Sequence, residues 1–238
     1  MKPVRIGPIP LAKKPLITAV VDVPQPADKI VALCCGAVSL FEFRLDLLDM
    51  RTDVAVKFIR AIRARTRCGC IATFRETSKN RARRLGDLKE ILPHVDAVDE
   101  EITSANVREI VRAARGKIVI LSHHDFKKTP DLAAIRKMAL RAKTMGAHVF
   151  KIAAHAKTQK DVARLLSFVG QSPLPCVAIA MGALGAISRV TAPLFGSLFS
   201  YGYTGKRPVA PGQLHVKRLA ELFALFYPNP PRRGVIHQ

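Results

Sequence analysis

Short apolar runs alternate with polar segments from residue 16 to residue 226 of the chain. Runs of about four to eight apolar residues between turn residues are typical of strands buried in a sheet. The segments between them have helical spacing, as where the apolar positions i, i+3, i+4 and i+7 are Ala55, Phe58, Ile59 and Ile62. Strands are predicted at Leu16–Val21, Val38–Leu45, Cys70–Phe74, Ala97–Ile102, Lys117–Leu121, His148–Ala154, Cys176–Met181 and Ser197–Tyr203. This alternation predicts a parallel sheet with helical crossovers.

The number of these units predicts the fold class. Eight β/α units in 238 residues predict an α/β protein with a closed (β/α)8 TIM barrel of parallel strands, and an open doubly wound sheet is the alternative. No Gly-x-Gly-x-x-Gly motif follows the first strand, which argues against a nucleotide-binding fold. No segment resembles a long linker, so we expect one barrel domain over residues 1–238. Residues 1–15, rich in proline and lysine, are expected to be a loose lead-in.

Composition limits where the protein is expected to act. Hydrophobic residues make up 49% of the chain, yet no apolar stretch is as long as a membrane span. The N-terminus lacks the apolar core of a signal peptide. Five cysteines, at positions 34, 35, 68, 70 and 176, have no zinc-knuckle spacing, so we interpret them as reduced, mostly buried thiols. We expect a cytoplasmic protein with no membrane contact and no metal site.

The net charge of +21, with a pI near 10.4, is extreme. Such a charge favours anionic ligands and raises the question of nucleic-acid binding. The basic residues are spread along the whole chain, and no nucleic-acid recognition motif accompanies them. We therefore interpret the charge as a solvated surface and do not expect a nucleic-acid partner.

Lys151 stands inside the sixth predicted strand, among apolar residues. Lysine is almost never fully buried unless it is paired. Burying an unpaired ammonium costs free energy and favours the neutral amine, which attacks ketones and forms a Schiff base. The alternative is a lysine at the strand end, with its stem packed and its head in water.

Polar residues gather where the predicted strands end. In a (β/α)8 barrel, the C-terminal ends of the strands carry the active site. A charged triplet with period two ends the second strand, and an ion-pair ladder is its structural alternative. Paired histidines end the fifth strand; one is expected to face inward for acid–base chemistry, although a lone histidine is more often structural. The residues concerned are Glu42, Arg44, Asp46, Arg75, Asp99, Glu101, His123, His124, Arg189 and Gln213.

An amine, an imidazole, carboxylates and guanidinium groups on one face suit imine chemistry on a small polyhydroxy acid. Arginine binds a carboxylate through paired hydrogen bonds. Carboxylates and a glutamine amide bind hydroxyls, while the imine acts as an electron sink and the histidine removes a neighbouring proton.

The order and spacing of these motifs resemble the type I 3-dehydroquinate dehydratase family over roughly residues 16–226. Each motif is short, but eight in sequence are specific. They are Glu42–Asp46, Thr73–Arg75, Asp99–Glu101, Ser122–Phe126 with Thr129 and Pro130, Gly146–Ala153, Met181–Arg189, Gly196 with Ser197, and Ala210–Gln213.

The resemblance implies a barrel enzyme of the shikimate pathway that uses neither metal nor organic cofactor and is often a homodimer. Its substrate would be 3-dehydroquinate, which undergoes syn loss of water. Lys151 would form the Schiff base, His124 rather than His123 would be the general base, and Asp99 would help to orient His124. The remaining roles implied are carboxylate binding by Arg189, hydroxyl binding by Glu42, Arg44, Arg75 and Gln213, and support by Asp46, Glu101 and Met181. The loop before Gln213 would be a lid.

The chain departs from the family pattern at three positions. Lys79 stands where the family has an acidic residue that is thought to assist the histidine, and Glu76 is the nearby candidate to replace it. Val209 replaces a small polar residue and Ile179 replaces a methionine. These changes leave two alternatives open: an anion- or nucleic-acid-binding protein on the same scaffold, and another Schiff-base enzyme such as an aldolase.

Overall fold

A computed structural model of the protein describes residues 4–11, 14–34 and 36–228. Eight parallel strands form its centre: β3 (Leu16–Val21), β4 (Leu40–Arg44), β5 (Gly69–Thr73), β6 (Ala97–Glu101), β7 (Ile118–Asp125), β8 (Val149–His155), β9 (Cys176–Met181) and β10 (Phe199–Tyr203). From β3 to β9 each strand pairs with the next, and β10 pairs with β3. The amide of Leu198, just before β10, donates to the carbonyl of Cys176 in β9 at 3.0 Å and completes the ring. The predicted (β/α)8 barrel is confirmed.

The helices surround this ring and alternate with its strands. Their bounds are α1 (Ala27–Cys34), α2 (Leu45–Leu48), α3 (Thr52–Arg63), α4 (Arg84–Ile91), α5 (Val107–Ala113), α6 (Leu132–Thr144), α7 (Gln159–Val169), α8 (Ser188–Thr191) and α9 (Val216–Phe226). The helical spacing predicted for α3 is observed: Ala55, Ile59 and Ile62 are buried, and Phe58 is half-buried against the same core. A short strand, β11 (Leu214–His215), adds to β10 before α9 begins.

Side chains on the strands alternate between two layers. Those facing outward, such as Phe41, Phe43 and Phe150, pack under the helices. Those facing inward are apolar at the N-terminal end of the barrel, where Leu40 and Ile120 lie. Farther along the strands the inward residues become polar and stay buried: Glu42, Thr73, Asp99, Ser122 and Lys151. The candidate site therefore lies directly above a packed layer of apolar side chains in the barrel interior.

The N-terminal segment corrects one prediction, because part of the expected loose lead-in is ordered structure. Strands β1 (Arg5–Ile6) and β2 (Ile9–Pro10) form an antiparallel hairpin. Ile6 and Leu11 are fully buried in the inner layer. Gly69 allows this approach, because a Cβ there would lie 2.4 Å from the carbonyl oxygen of Ile6. Apolar residues interspersed with the prolines therefore cover the N-terminal end of the barrel.

Two other local expectations change. Strand β7 runs to Asp125, beyond the predicted end at Leu121, so both histidines lie within the strand. The sequence predicts a helix over residues 104–115 with Ser104 as its cap, but helix α5 begins at Val107 after Asn106. The Ser104 hydroxyl accepts a hydrogen bond from Arg84 at 3.5 Å and does not cap the helix.

The cysteines that can be described are free. Cys68, Cys70 and Cys176 carry free thiols, whereas Cys35 and the side chain of Cys34 lie outside the described residues. Across the described ranges, no helix is both long enough and apolar enough to cross a membrane. The same part of the chain contains no cluster of three metal-binding side chains.

Candidate active site

A cavity of about 450 Å³ opens at the C-terminal ends of the barrel strands. Nine of the residues singled out from the sequence line it: Glu42, Arg44, Arg75, Glu101, His124, Lys151, Met181, Arg189 and Gln213. Two other predicted residues do not line the cavity but contact side chains that do. Asp99 is fully buried beneath Lys151, and Asp46 forms a two-pronged ion pair with Arg44, with contacts of 3.1 and 2.7 Å. His123 does not line the cavity.

Lys151 is buried with only 4% of its surface exposed, but it is not unpaired as its sequence context suggested. Its Nζ donates to Asp99 Oδ2 at 2.8 Å and to Glu42 Oε1 at 3.4 Å. The same nitrogen lies 4.0 Å from the centre of the Tyr201 ring. The two carboxylates stabilise an ammonium, so burial has not produced an isolated amine.

Asp99 is the acceptor at the centre of this network. It receives hydrogen bonds from Lys151, from Arg75 Nη2 at 2.7 Å and from Ser122 Oγ at 2.7 Å. Burial alone would raise the pKa of Asp99, but Arg75, Lys151 and His124 together hold that pKa well below its ordinary value. The carboxylate is therefore ionised and balances the buried cations.

Glu101, not Asp99, contacts His124, which corrects the predicted partner. Glu101 Oε2 lies 2.7 Å from His124 Nδ1, and Oε1 accepts from the His124 backbone amide at 3.1 Å. The pKa of Glu101 is below its usual value, because hydrogen bonds and charge from His124 and the charge of Arg75 outweigh the effect of burial. An ionised Glu101 requires a proton on Nδ1, and Nε2 is then left as the basic nitrogen.

The environment of His124 favours its neutral form. Burial lowers the pKa of His124, and the positive charges of Arg75 and Lys151 lower it further. Glu101 opposes both effects, but the net shift is downward. The imidazole is consequently a proton acceptor near neutral pH.

Arg189 is a buried cation held by carbonyl groups. Only 2% of it is exposed, and it donates to the carbonyls of Gly212 at 2.8 Å and Pro211 at 3.3 Å. In the part of the chain that the structure describes, no carboxylate forms an ion pair with it. Burial lowers its pKa to about 10, which leaves it charged at neutral pH. A buried guanidinium of this kind has the chemistry to bind an anion.

The loop ending at Gln213 folds over Arg189 and is fixed at two points. Gln213 Oε1 accepts from the amides of Val209 at 2.9 Å and Ala210 at 3.3 Å. The Gly182 amide donates to Pro211 at 3.2 Å. These contacts leave the Gln213 side-chain NH2 as a donor on a residue that lines the cavity.

The departures from the family pattern lie partly outside the cavity. Lys79 is exposed and does not line it. Glu76 forms an ion pair with Arg81 at 2.7 Å, so it does not replace an acid beside His124. Val209 and Ile179 do line the cavity and make parts of its wall apolar.

Three buried groups of the site were not identified from the sequence: Thr73, which donates to Glu42 at 2.9 Å; Ser122, which donates to Asp99; and Tyr201, beside Lys151. Thr73 and Ser122 could have been predicted from strand alternation. Thr73 stands two residues before Arg75, and Ser122 two before His124, so each lies on the same face of its strand as that residue.

The barrel and its cavity fit one class of protein: (β/α)8 enzymes for small molecules, with a buried lysine, a histidine and an arginine around one cavity. Comparison with known proteins narrows the class. The family model for type I 3-dehydroquinase matches residues 19–230, and the chain belongs to the type I 3-dehydroquinase family. The activity of this family is the dehydration of 3-dehydroquinate, a hydro-lyase reaction.

Individual relatives agree with the family model. A 3-dehydroquinate dehydratase of Methanocella arvoryzae is 33% identical over 218 residues, which cover 87% of this chain and 94% of that relative. A solved 3-dehydroquinate dehydratase from Aquifex aeolicus is 26% identical with a TM-score of 0.78, covering 90% of this chain and 100% of that one. The type I enzyme from Clostridium difficile, 24% identical, has the same fold, with a TM-score of 0.82 and coverage of 94% and 97%.

Proposed function

We propose that the protein converts 3-dehydroquinate to 3-dehydroshikimate by syn loss of water through a Schiff base on Lys151. The observation that carries this proposal is the shared cavity, which places the Lys151 nitrogen and the neutral imidazole of His124 within reach of one small substrate. Because one imidazole both removes and returns the proton, both events occur on one face of the ring, which accounts for the syn course.

Schiff base formation begins with loss of a proton from the Lys151 ammonium. Asp99 is a poor acceptor, because its pKa is held low; His124 is the base available in the cavity. The freed amine adds to the ketone carbon, and a neutral carbinolamine forms. His124 then returns the proton to the carbinolamine hydroxyl, which leaves as water. Overall, an ammonium and a ketone become an iminium and one water, and His124 is neutral again.

The dehydration uses the same imidazole. His124 Nε2 takes a proton from the carbon next to the iminium, and the electron pair moves toward nitrogen to give an enamine. The enamine expels the hydroxyl one carbon farther on as water, with the proton returned by His124. Glu101, 2.7 Å from Nδ1, stabilises the transient imidazolium. Water hydrolyses the remaining iminium and frees Lys151, so these steps require no metal or organic cofactor.

Substrate orientation is assigned to the cationic and polar wall of the cavity. Arg189, with no carboxylate partner among the described residues, would bind the substrate carboxylate. Hydroxyl binding is proposed for Glu42, Arg44, Arg75 and Gln213, all on the cavity wall. Asp46 supports Arg44 through its two-pronged contact, and Met181 supplies apolar wall.

We further propose that the protein acts in the cytoplasm, without nucleic acid, as a homodimer. The free thiols of the described cysteines suit a reducing compartment. A second copy is supported by an uncharged surface, formed where residues 190–196 and 222–228 lie together without any charged side chain; Tyr227 donates there to the carbonyl of Val190. Exposed apolar residues on it include Leu194 and Phe226. Two chains of charge +21 repel elsewhere, so an uncharged surface is where they can meet.

The dimer is tested by sedimentation equilibrium of the wild type and of Leu194→Arg. We expect a dimer for the wild type and a monomer for the variant, because the substitution places a charge in the apolar contact. A wild type that sediments as a monomer contradicts this part of the proposal.

The catalytic proposal is tested by borohydride reduction in the presence of 3-dehydroquinate, followed by peptide mapping. The expected adduct is on Lys151, and Lys151→Met should give neither adduct nor the ultraviolet absorbance of the conjugated product. Lys128→Met is the matched control, since Lys128 is an exposed lysine near the mouth of the barrel. An adduct on another residue, or none in the wild type, would overturn the proposal.

A further inference from the structure

The amine of Lys151 has an aromatic ring on one side. Its nitrogen lies 4.0 Å from the centre of the Tyr201 ring, and Tyr201 is 3% exposed, on strand β10. Asp99 and Glu42, at 2.8 and 3.4 Å, provide the carboxylate contacts of the same nitrogen. A ring and two carboxylates therefore surround the group that the proposed mechanism places at the centre of the chemistry.

The ring and the carboxylates attract the nitrogen in different ways. The face of an aromatic ring carries partial negative charge and attracts a cation, most strongly where water is excluded. A carboxylate can accept a proton from the ammonium, whereas a ring face cannot. Tyr201 therefore stabilises positive charge on the nitrogen without competing for its protons.

We propose that Tyr201 is a positioning residue that holds the nitrogen of Lys151 in its two cationic states, first as the ammonium and then as the iminium. This inference rests on the proposed Schiff base. The nitrogen carries one positive charge at the start of this step, as the ammonium, and again at its end, as the iminium, after the ketone oxygen has left as water. The ring can thus keep the nitrogen in one place before and after the C–N bond forms.

The intermediate between these states, the carbinolamine, is not stabilised by a cation–π interaction with the ring. The carbinolamine is neutral, so the attraction of the ring favours its loss of water to the cationic iminium. Borohydride reduces the iminium and not the carbinolamine, and the rate of trapping therefore reports on the step that Tyr201 assists.

A packing role for Tyr201 makes a different prediction. The ring also packs edge-to-face on Phe199, at a centroid distance of 5.5 Å and an angle of 67°. If packing were its whole contribution, the shape of the ring would matter and its electron density would not. The hydroxyl can be separated from both effects, because it has no hydrogen-bond partner within the described residues.

The experiment lowers the electron density of the ring in steps while its shape stays nearly constant. Tyr201→Phe is the reference, and phenylalanines with one, two and three ring fluorines replace it in turn. At saturating 3-dehydroquinate, we expect the rate of borohydride trapping to fall with each fluorine, by between about 2-fold and about 30-fold over the series. The thermal midpoint should stay constant.

The same fluorinated series at Phe150 is the matched control. Phe150 precedes Lys151 on β8 but faces outward and packs on Phe168, so its fluorination should leave the trapping rate unchanged. If the trapping rate is the same across the fluorinated variants at position 201 while the wild type still forms the adduct, the proposed role of Tyr201 is wrong and the Schiff base still stands. Absence of any adduct in the wild type overturns the Schiff base, and this inference with it.

Discussion

Arg75 is the residue that links the charges of the site. Its guanidinium lies 2.7 Å from Asp99 and 3.8 Å from Glu101. Burial alone would lower the pKa of Arg75, yet Asp99, Glu101 and Glu42 raise it above its ordinary value. In return its charge lowers the pKa of both Asp99 and His124. One cation therefore favours an ionised carboxylate and a neutral base at the same time.

The lowered pKa of His124 predicts the acid limb of the pH profile. The base must be neutral, so activity is lost as pH falls through the pKa of His124. We expect the midpoint in kcat/KM below 6.5, the ordinary value. Glu101 raises this pKa, so Glu101→Gln should move the limb to still lower pH and reduce kcat on the order of 10²-fold. Asp125→Asn, on the exposed side of the strand end, is the control; a limb above 6.5 contradicts the assignment.

Buried and exposed ion pairs should differ in what they contribute to stability. Asp99→Asn leaves Arg75 and Lys151 buried with less negative charge, and we expect a loss of about 3–5 kcal/mol in the free energy of unfolding. The pKa of Asp99 is lowered in the folded state, so its contribution is present above the ordinary carboxyl pKa and is lost as pH falls through the folded value.

The control for Asp99 is Asp53→Asn, since the Arg51–Asp53 pair is largely exposed and should contribute below about 1 kcal/mol. Urea unfolding of both variants at neutral pH measures the difference. Equal losses would mean that the Asp99 network is not what stabilises this region.

At the scale of elements, the Gln213 loop depends on one close backbone approach. Gly212 has φ of 72°, and a Cβ there would lie 2.3 Å from the carbonyl oxygen of Gly182. Gly182 itself has φ of 89°. The loop can therefore cover Arg189 only while both positions carry glycine.

Gly212→Ala should displace this loop and weaken substrate binding. We expect KM to rise about 10-fold or more, while the thermal midpoint changes little because the loop lies at the barrel mouth. Gly86→Ala is the matched control. Gly86 is an exposed residue of α4 whose added Cβ would meet nothing within 4 Å, and the change should stabilise the protein by about 0.5–1 kcal/mol. An unchanged KM for Gly212→Ala would contradict the role of the loop.

At the scale of the whole molecule, a net charge of +21 accompanies a cavity for which we propose an anionic substrate. Cationic surfaces raise the encounter rate of anionic substrates, and salt screens this effect. We expect kcat/KM to fall about 10-fold between ionic strengths of roughly 0.01 M and 1 M, with kcat nearly constant. A kcat/KM that does not depend on salt would assign the surface charge another role.

Much of the fold and of the site was predictable, because the signals involved are local. Strand alternation assigns Glu42, Thr73 and Lys151 to the inner face whatever lies opposite them. Helical spacing likewise assigned the buried face of α3. The expectation of a loose segment was wrong for residues 5–11, because burial of Ile6 and Leu11 requires the open end of the barrel, which only the assembled strands create.

The sequence by itself determined the alternation of strands and helices, the inward position of Lys151 and the gathering of polar residues at one end of the barrel. Each follows from the spacing of neighbouring residues. Only the tertiary structure decided which charges pair: Asp99 with Lys151 and Arg75, and Glu101 with His124. The curvature of the barrel sets these distances across strands, and electrostatic interactions depend on distance and burial rather than on order along the chain.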